Sequence, residues 1–541
     1  MHGLMQQSEL LVSKFIQFAD INHGQREIVG MLPEGGQIRT NYSEVNFRAK
    51  KLAQALEKMG VSLGDCIGTL AWNSHRHMEC WYGISGMGAV AHTINPRLFP
   101  EQLIYIMNHA EDKVLFLDIQ FIPLIEAVKD HLKTVEKFVV MVGRKHMPET
   151  SLENVVCYED LLAEEDGDYI WPEFDEKTAC GLCYTSGTTG NPKGVLYSHR
   201  SNYLHTMATL SKDCFDMGSR DTILPVVPMF HANSWGIPYA AAAGGAKIVF
   251  NGPHHDPQTL HKLMIDEEVT HTAAVPSVWT PMLSHVESNG LDFGKLESVV
   301  IGGSACPRSM IKTFKEKYGI WVAHAWGMTE LSPLGTLGTP NAATMELEGE
   351  DLIDLQCKQG RGVIGIEMTI MDDDGNELPR DGESAGRLMV RGPWVVKSYY
   401  KSESDDATEK DEWFDTGDMA NIDKYGFMQI TDRSKDVIKS GGEWISSIDL
   451  ENEAIGHPAI LEAGVIGRYH PKWEERPLMI VVLNEGAGIT LEELNDYLAD
   501  KVAKWWLPNG LEIVDDLPHT ATGKISKKDL RETFKDYTFP E

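Results

Sequence analysis

Cysteine is scarce in this chain. Eight residues (Cys66, Cys80, Cys157, Cys180, Cys183, Cys214, Cys306 and Cys357) spread over 541 positions cannot form the dense disulfide framework of a small secreted domain, and a reduced compartment is the expectation. Cys180 and Cys183 make a C-x-x-C pair, but no second pair or neighbouring His cluster completes a zinc site, so buried thiols are expected there. Positive charge is short as well. The 49 Lys+Arg against 80 Asp+Glu leave a formal net charge of −31, whose field repels nucleic acid and anionic membranes and excludes both as general partners. A polyanionic substrate would need cations gathered locally. The most apolar stretch, 237 to 250, is broken by Gly244, Gly245 and Lys247 and falls short of the roughly 20 residues of a membrane span. The opening MHGLMQQSELLVSKFIQFAD lacks a basic n-region and a cleavage site, so no signal peptide is expected and the cytoplasm is the expected location. Internal repeats and low-complexity tracts are missing too.

What is present fits a soluble globular protein: 42% hydrophobic and 24% charged residues, with length for two or more cores. One stretch stands out. YTSGTTGNPKGV, from Tyr184 to Val195, gathers the hydroxyls of Thr185, Ser186, Thr188 and Thr189, the glycines Gly187, Gly190 and Gly194, and Lys193. Hydroxyl donors, unobstructed backbone N–H groups and one point charge are what a phosphate-holding loop requires. Its spacing is not that of the P-loop G-x-x-x-x-G-K-[ST], because Asn191 and Pro192 precede Lys193 and Gly194 follows it. The apolar run before it reads as a strand, and 198 to 210 after it reads as a helix, the usual position for a ligand loop in an α/β fold.

The surrounding sequence alternates in the same manner. Ser43 to Gly60 has apolar residues at helical spacing (Val45, Ala49, Leu52, Leu56, Met59), Ser43 as the candidate cap and Gly60 as the stop. A strand from 66 to 71, a helix from 75 to 86, a short run from 89 to 94, a helix within NPRLFPEQLIYIMNHAED and a strand from 114 to 117 follow. Such alternation specifies parallel sheet covered by helices. Residues 150 to 178 are acidic and read as an irregular surface excursion. After a strand at 222 to 228, the segments VTHTAAVPSVW, LESVVIGGSACP and WVAHAWGMTE each read as strand then ligand-facing loop, and 362 to 400 becomes β-rich with turns at Asp373 to Gly375 and Asp381-Gly382. Beyond DRSKD the pattern changes to a small α+β unit: helix 448 to 455, HPAILEAGVIGRYH as a strand pair, PLMIVVL as a strand, a helix from Leu491, and a tail carrying PHTATGKISKKDL.

YTSGTTGNPKG resembles the phosphate-binding signature of the adenylate-forming superfamily, which includes acyl-CoA synthetases, peptide-synthetase adenylation domains and beetle luciferases. The likeness runs from about residue 40 to 530 with its motifs in order. It implies an α/β N-terminal domain of layered parallel sheets with a small distorted β-barrel (1–432), a hinge (433–435) and a mobile α+β cap (436–541). It implies ATP, Mg²⁺ and coenzyme A as cofactor and co-substrate, a small carboxylic acid as the other substrate, and a homodimer.

The same resemblance assigns residues. ATP would be held by Thr185 to Gly190 and Lys193, with adenine between the Gly303, Ser304, Ala305, Cys306 and Pro307 backbone and Trp326, in a segment running through Ala325, Gly327 and Met328. Thr329 looks like an α-phosphate donor, and Glu330 with Thr185 like the Mg²⁺ ligands, in keeping with a cation that takes few carboxylates plus phosphate oxygens. Asp418 in WFDTGD and Arg433 in DRSKD would hold the ribose. Lys435 matches the hinge position, and Lys439, Gly441, Gly442, Glu443 and Trp444 the loop that meets the pantetheine channel after rotation. Lys524 in ATGKISKK matches the catalytic lysine, whose ammonium would offset charge building on carboxylate and phosphoryl oxygens. Thr185 is placed beside it in the chemistry.

For the acyl group, FHANSWG resembles the segment bordering the acyl pocket, so His231, Trp235, Gly302, Gly303, Trp326 and Pro333 are the candidate contacts, with Trp235 matching a gate. A carboxylic acid with a pKa near about 4.5 is already ionised at neutral pH, so His231 has no proton to take in the first step and is read as orienting the carboxylate. A base would help the thiol of CoA, near about 8.5, and that later role stays open. Ala232, Asn233 and Ser234 offer no carboxylate for an amino group, which disfavours amino acids. The segments FHANSWGIPYA and NPRLFPEQ are similar to bacterial fatty-acid ligases and to the 3-(methylthio)propionate ligases of dimethylsulfoniopropionate breakdown. The expected activity is an AMP-forming acyl-CoA synthetase for short to medium chains. Loading of a carrier protein and a luciferase-like oxygenation are the alternatives.

Overall fold

The alternating strands and helices close into two mainly parallel sheets stacked through a shared helical layer, followed by a small antiparallel sheet and a cap. The structure, a computed structural model, describes residues 1, 3–185, 191–402, 407–433, 435–441, 443–520 and 524–539, with the backbone alone of Glu443 and Trp444. Among the described residues no helix is long and apolar enough to cross a membrane.

The first sheet has seven strands in the order Val155–Cys157, Lys137–Val140, Val114–Leu117, Cys66–Leu70, Val90–Thr93, Ala179–Tyr184, Gly194–Ser198. All neighbours are parallel except the last pair. Cys66–Leu70, Val90–Thr93 and Val114–Leu117 are buried at every position, as strands covered on both faces must be. The second sheet has nine strands. Six run parallel, in the order Trp321–Gly327, Ser298–Ile301, His271–Ala274, Thr222–Pro225, Lys247–Phe250, Glu27–Met31, and antiparallel strands extend both edges.

Helices Ser13–His23, Tyr42–Lys58, His75–Gly86, His199–Thr209 and Ile237–Gly244 contribute Phe15, Val45, Trp81, Ala208 and Ile237 to the core between the sheets. Separate clusters cover the outer faces, through Trp279 and Phe314 on one side and Leu103 and Ile125 on the other. At the strand ends Asn73 joins the two sheets. Its Nδ2 donates to the carbonyls of Pro225 (2.9 Å) and Val227 (3.0 Å), and its Oδ1 accepts from the Met229 amide at 2.7 Å.

Several local expectations need correction. The Tyr42–Lys58 helix is capped by Asn41, whose side chain accepts from the Glu44 amide, while the Ser43 hydroxyl turns to Asp20 at 2.5 Å. Residues 150 to 178 are not an irregular excursion: they hold the Val155–Cys157 strand and the Tyr158–Ala163 helix, with Tyr158 and Trp171 buried. Trp171 fills the space over Gly86, where even a Cβ would lie 2.4 Å from its ring. The β-rich segment is the four-stranded antiparallel sheet Glu367–Met371, Gly386–Arg391, Phe414–Ile422, Met428–Arg433, whose outer strands are not paired to each other among the described residues. It is an open sheet, not a barrel, since four strands are too few to close around side chains.

In the cap HPAILEAGVIGRYH forms one strand, Ile460–His470, rather than two. It pairs antiparallel with Glu474–Leu483, beside which lie Ile438–Ser440, Glu443–Ile445 and Gly510–Ile513. Helices Ser447–Ile455, Leu491–Leu498 and Lys527–Thr533 cover this sheet, and the cap has cores of its own around Leu450, Leu494 and Leu530.

Candidate active site

The phosphate-loop motif lies between two antiparallel strands, Ala179–Tyr184 and Gly194–Ser198, not between strand and helix. The helix His199–Thr209 begins only after the second strand, capped by Ser198. Thr185 closes the loop: its amide donates to the Lys193 carbonyl at 2.9 Å, and its Oγ1 accepts from the Lys193 amide at 3.3 Å. Ser186, Gly187, Thr188, Thr189 and Gly190 lie outside the described residues. Cys180 and Cys183, in the entering strand, are buried free thiols, and burial pushes Cys180 up to about 12.

Lys193 places its ammonium 4.6 Å from the centroid of Tyr399, whose hydroxyl donates to Glu330 Oε1 at 2.9 Å. One phenol therefore touches the loop lysine and the candidate metal carboxylate together. The main chain ties the same parts: the Val396 amide donates to the Glu330 carbonyl (2.7 Å), the Tyr400 amide to the Gly194 carbonyl (2.8 Å), and the Tyr197 hydroxyl to the Thr329 carbonyl (2.7 Å). Glu330 is buried, which raises its carboxyl, and the Tyr399 hydrogen bond opposes that rise. A buried carboxylate with few partners suits a cation that brings phosphate oxygens with it. The His/Cys/Asp/Glu cluster with metal-like spacing among the described residues is elsewhere, on the cap at Glu462, Asp516 and His519, and two of its members are exposed.

Trp326, at the end of the Trp321–Gly327 strand, donates from Nε1 to Asp418 Oδ2 at 2.9 Å, and Arg433 Nε lies 3.5 Å from the other oxygen of that carboxylate. Asp418 and Arg433 are cross-strand partners in the small sheet, so their meeting follows from register. Trp326 is mostly buried, with its six-membered ring against Gly335, where a Cβ would come within 2.4 Å. Gly327 meets the Pro333 carbonyl so closely that a Cβ would lie at 2.2 Å, and the Met328 amide donates to that same carbonyl at 3.0 Å.

The Gly302 to Pro307 loop has a support that sequence reasoning missed. His324 accepts from the Cys306 amide at Nε2 (3.2 Å), and its Nδ1 faces the Cys357 carbonyl at 3.0 Å. Burial lowers this imidazole to about 4, so it is neutral, protonated on Nδ1 and accepting on Nε2. His205 acts likewise for the next loop, accepting from the Leu334 amide at 3.2 Å. Neither histidine was singled out in the sequence: His205 lies on a helix after the phosphate loop, and His324 lies in the strand half of WVAHAWGMTE, where it reads as core.

The acyl side is built on unusual backbone. Ala232, Asn233, Ser234 and Trp235 have φ of 43°, 53°, 48° and 57°, and Gly236 continues at 77°. Non-glycine residues pay about 1–2 kcal/mol each in this region, and the turn is held by Ser234 Oγ donating to the Val227 carbonyl at 2.7 Å and by Cys183 Sγ meeting Asn233 Oδ1 at 3.7 Å. The turn lays Trp235 against Gly302, where a Cβ would stand 3.3 Å from the indole and 2.9 Å from the Ala325 carbonyl. Two residues back along the same strands, Val300 and Ala323 line a cavity of about 380 Å³ at the strand starts, where Ile237 and Trp321 meet the polar His271 and Glu297. His231 opens the turn. Burial, then the charges of Lys524 and of Arg97 from the NPRL segment, lower it to about 4.

Lys524 comes from the cap. Its amide donates to Thr520 Oγ1 at 3.3 Å, and its ammonium is lowered to about 8 by burial and by Arg433, against the opposing pull of Asp418 and Glu330. Lys524, His231, Glu330, Asp418 and Arg433 thus act on one space. The described residues of the second cap loop bond within the cap. The Lys439 amide donates to Glu475 (3.0 Å) and the Gly441 amide to the Trp473 carbonyl (2.8 Å), both within the cap. Gly442 lies outside the described residues, as do the side chains of Glu443 and Trp444. Lys435 is exposed, and partial desolvation lowers its ammonium.

Comparison with known proteins follows the same division. Residues 18–400 match the model of the AMP-binding enzymes, and 449–524 match that of the AMP-binding enzyme C-terminal domain. A medium-chain-fatty-acid–CoA ligase of Ectopseudomonas oleovorans is 49% identical over 536 residues, covering 99% of this chain and 98% of its own. A 3-methylmercaptopropionyl-CoA ligase of Ruegeria lacuscaerulensis is likewise 49% identical over 536 residues, with 99% of both chains covered. In fold, the chain is similar to ATP-bound MatB from Rhodopseudomonas palustris, with TM-score 0.81 and 24% identity over 97% of this chain and 99% of that one.

Proposed function

Since the chain belongs to the AMP-binding enzyme family, we propose that it is an AMP-forming acyl-CoA synthetase that converts ATP, a short to medium carboxylic acid and CoA into acyl-CoA, AMP and pyrophosphate through an acyl-adenylate. The observation that carries this reading is that the Lys524 ammonium, on the cap, feels the charges of Arg433, Asp418 and Glu330 and in turn lowers His231. In the first step the substrate carboxylate attacks the α-phosphorus and pyrophosphate leaves. The Lys524 ammonium offsets the charge that develops on the attacking and phosphoryl oxygens. Asp418 and Arg433 take the ribose, the Gly303 to Pro307 backbone and Trp326 take adenine, and Lys193 with the loop from Thr185 takes the phosphates. Glu330 and Thr185 would hold Mg²⁺, which supplies charge neutralisation at the phosphates.

In the second step the CoA thiol attacks the acyl carbonyl and AMP leaves. We place the hinge at 433–435, with Lys435 at its centre and the cap from 436 onward. Rotation there withdraws Lys524 and brings the loop of Lys439, Gly441 and Gly442 toward the pantetheine. With Lys524 gone, one of the charges that depress His231 goes too, so its imidazole becomes a better acceptor for the thiol proton. His231 otherwise orients the carboxylate.

The likeness to a medium-chain-fatty-acid ligase and to 3-methylmercaptopropionyl-CoA ligases supports a chain of limited length, and methylthiopropionate fits the same class. A cytoplasmic setting is consistent with eight free cysteines, and a homodimer is checked by sedimentation. The deciding experiment is CoA-dependent AMP release over a panel of acids from two to sixteen carbons, with methylthiopropionate included. Thioester should form with the short and medium acids. Best turnover on acids beyond twelve carbons rejects the chain-length assignment, and accumulation of adenylate without thioester rejects the ligase.

A further inference from the structure

Asp432 has no part in the steps above, yet its carboxylate is almost wholly buried and joins the nucleotide-binding strand to the cap. Oδ1 accepts from the Arg433 amide at 2.7 Å. Oδ2 accepts from both the amide (2.8 Å) and the hydroxyl (2.7 Å) of Ser447. Ser447 opens the Ser447–Ile455 helix, so the carboxylate faces the positive end of that helix, where a negative charge is stabilised. Beside it Ser446 Oγ donates to the Thr431 carbonyl, a second bond between the same strand and the same helix end.

A third cap element meets this point. Lys527, the first residue of the Lys527–Thr533 helix, donates to Ser447 Oγ and pairs with Glu451 Oε1 at 2.9 Å. Asp432 is a further negative charge holding its ammonium. Lys527 stands three positions after Lys524, and the chain between is tightly tied: the Ser526 amide donates to the Pro518 carbonyl and the Thr520 amide to the Lys524 carbonyl, each at 2.7 Å. Whatever fixes Lys527 therefore fixes the direction from which Lys524 enters the site.

We propose that Asp432 is a positioning residue for Lys524, holding the cap in the adenylate-forming orientation through Ser447 and Lys527. The inference rests on the two-step ligase reading and on the hinge at 433–435. Asp432 lies before that hinge, and both of its cap partners lie beyond it. Rotation about the hinge parts them, and a buried carboxylate stripped of its donors is costly. The carboxylate thus favours the first half-reaction's orientation and opposes departure from it.

The test separates the half-reactions. Pyrophosphate release from ATP and acid measures the first, and thioester formation from pre-made acyl-adenylate and CoA measures the second. Wild-type enzyme must perform both; if it does not, the ligase reading fails and not this inference. In Asp432→Ala the first should fall at least about tenfold while the second stays within about twofold. Asp432→Asn, which keeps an acceptor oxygen but not the charge, should fall between. Equal changes in both half-reactions, including no change in either, overturn the proposal, as does a larger loss in the second. If Asp432→Ala does not fold, the same ratio measured on Ser447→Ala decides, since that variant removes the hydroxyl's bonds to Asp432 and Lys527 and leaves the carboxylate its amide partners.

Discussion

At the nucleotide end of the site, Trp326, Asp418 and Arg433 are bound to one another by directed polar contacts, and Lys193 and Glu330 share Tyr399. At the proposed acyl end, a few residues away on the same strands, Trp235 lies on Gly302, and the cavity at the starts of those strands is lined by Val300, Ala323 and Ile237 together with His271, Glu297 and Ser298. On the proposed reading, one end recognises by donors and charges at fixed places and the other by leaving space. Each principle leaves a different mark: charge chemistry demands particular residue types, whereas space can be left by many small side chains. Substitutions at the two ends should therefore fail differently, the first in rate with every acid, the second in choice of acid.

The largest expected effect is at Lys524. Lys524→Ala removes the only cap cation assigned to the reacting oxygens, and adenylate formation should fall about 10²–10³-fold with all acids alike. Thioester formation from supplied adenylate should persist. Acid-dependent losses in the first half-reaction would erase the distinction between the two ends.

How much of this was legible beforehand follows the same line. The phosphate loop stands out in the sequence because its hydroxyls, glycines and lysine gather in one stretch, whereas Asp418, Arg433 and Lys524 are singled out only by resemblance to the family's motifs. The left-handed turn at 232–236 had no such signal: Ala, Asn, Ser and Trp are not residues that favour positive φ as a run, and contacts such as those of Ser234 with Val227 and of Asn233 with Cys183 hold them there. His324 and His205 were invisible for a related reason, since a buried histidine that accepts from a backbone amide looks in sequence like any core polar residue. Acidic 150–178 misled because Tyr158 and Trp171 are anchored by partners far away in the chain. Asn41 rather than Ser43 caps its helix because Asp20, from a preceding helix, claims the serine.

A second, smaller effect is on pH. Burial and Arg433 lower the Lys524 ammonium to about 8 from the ordinary 10.5, and its role requires the proton. In free enzyme kcat/KM for ATP should fall about tenfold per pH unit above that value. The sign for stability is opposite: between the folded and unfolded values the unfolded chain holds the extra proton, so this group's contribution to stability rises with pH across that window while activity falls. Lys524→Ala should abolish both trends. Activity that stays level to pH 10 would show that the ammonium is not depressed.

The smallest effect probes the acyl end. Ala323 is buried, lines the cavity, and lies two residues before Ala325, whose carbonyl Gly302 approaches. Leucine there would fill part of the volume that a longer chain requires, at about 0.8 kcal/mol for each methylene displaced. For Ala323→Leu, kcat/KM should fall roughly three- to tenfold for acids that reach the cavity and hardly at all for the shortest, with KM for ATP unchanged. Overpacking can cost about 1–3 kcal/mol of stability, so the comparison is between acids within one variant, where any loss of folded enzyme cancels. A uniform loss over all acids would mean that the acyl chain leaves the site by another route and that the cavity is only a packing gap. A loss confined to the longer acids would assign chain length to the small residues on this face of the sheet, and the turn at 232–236 would then serve to hold Trp235 between the reacting carboxyl and the tail.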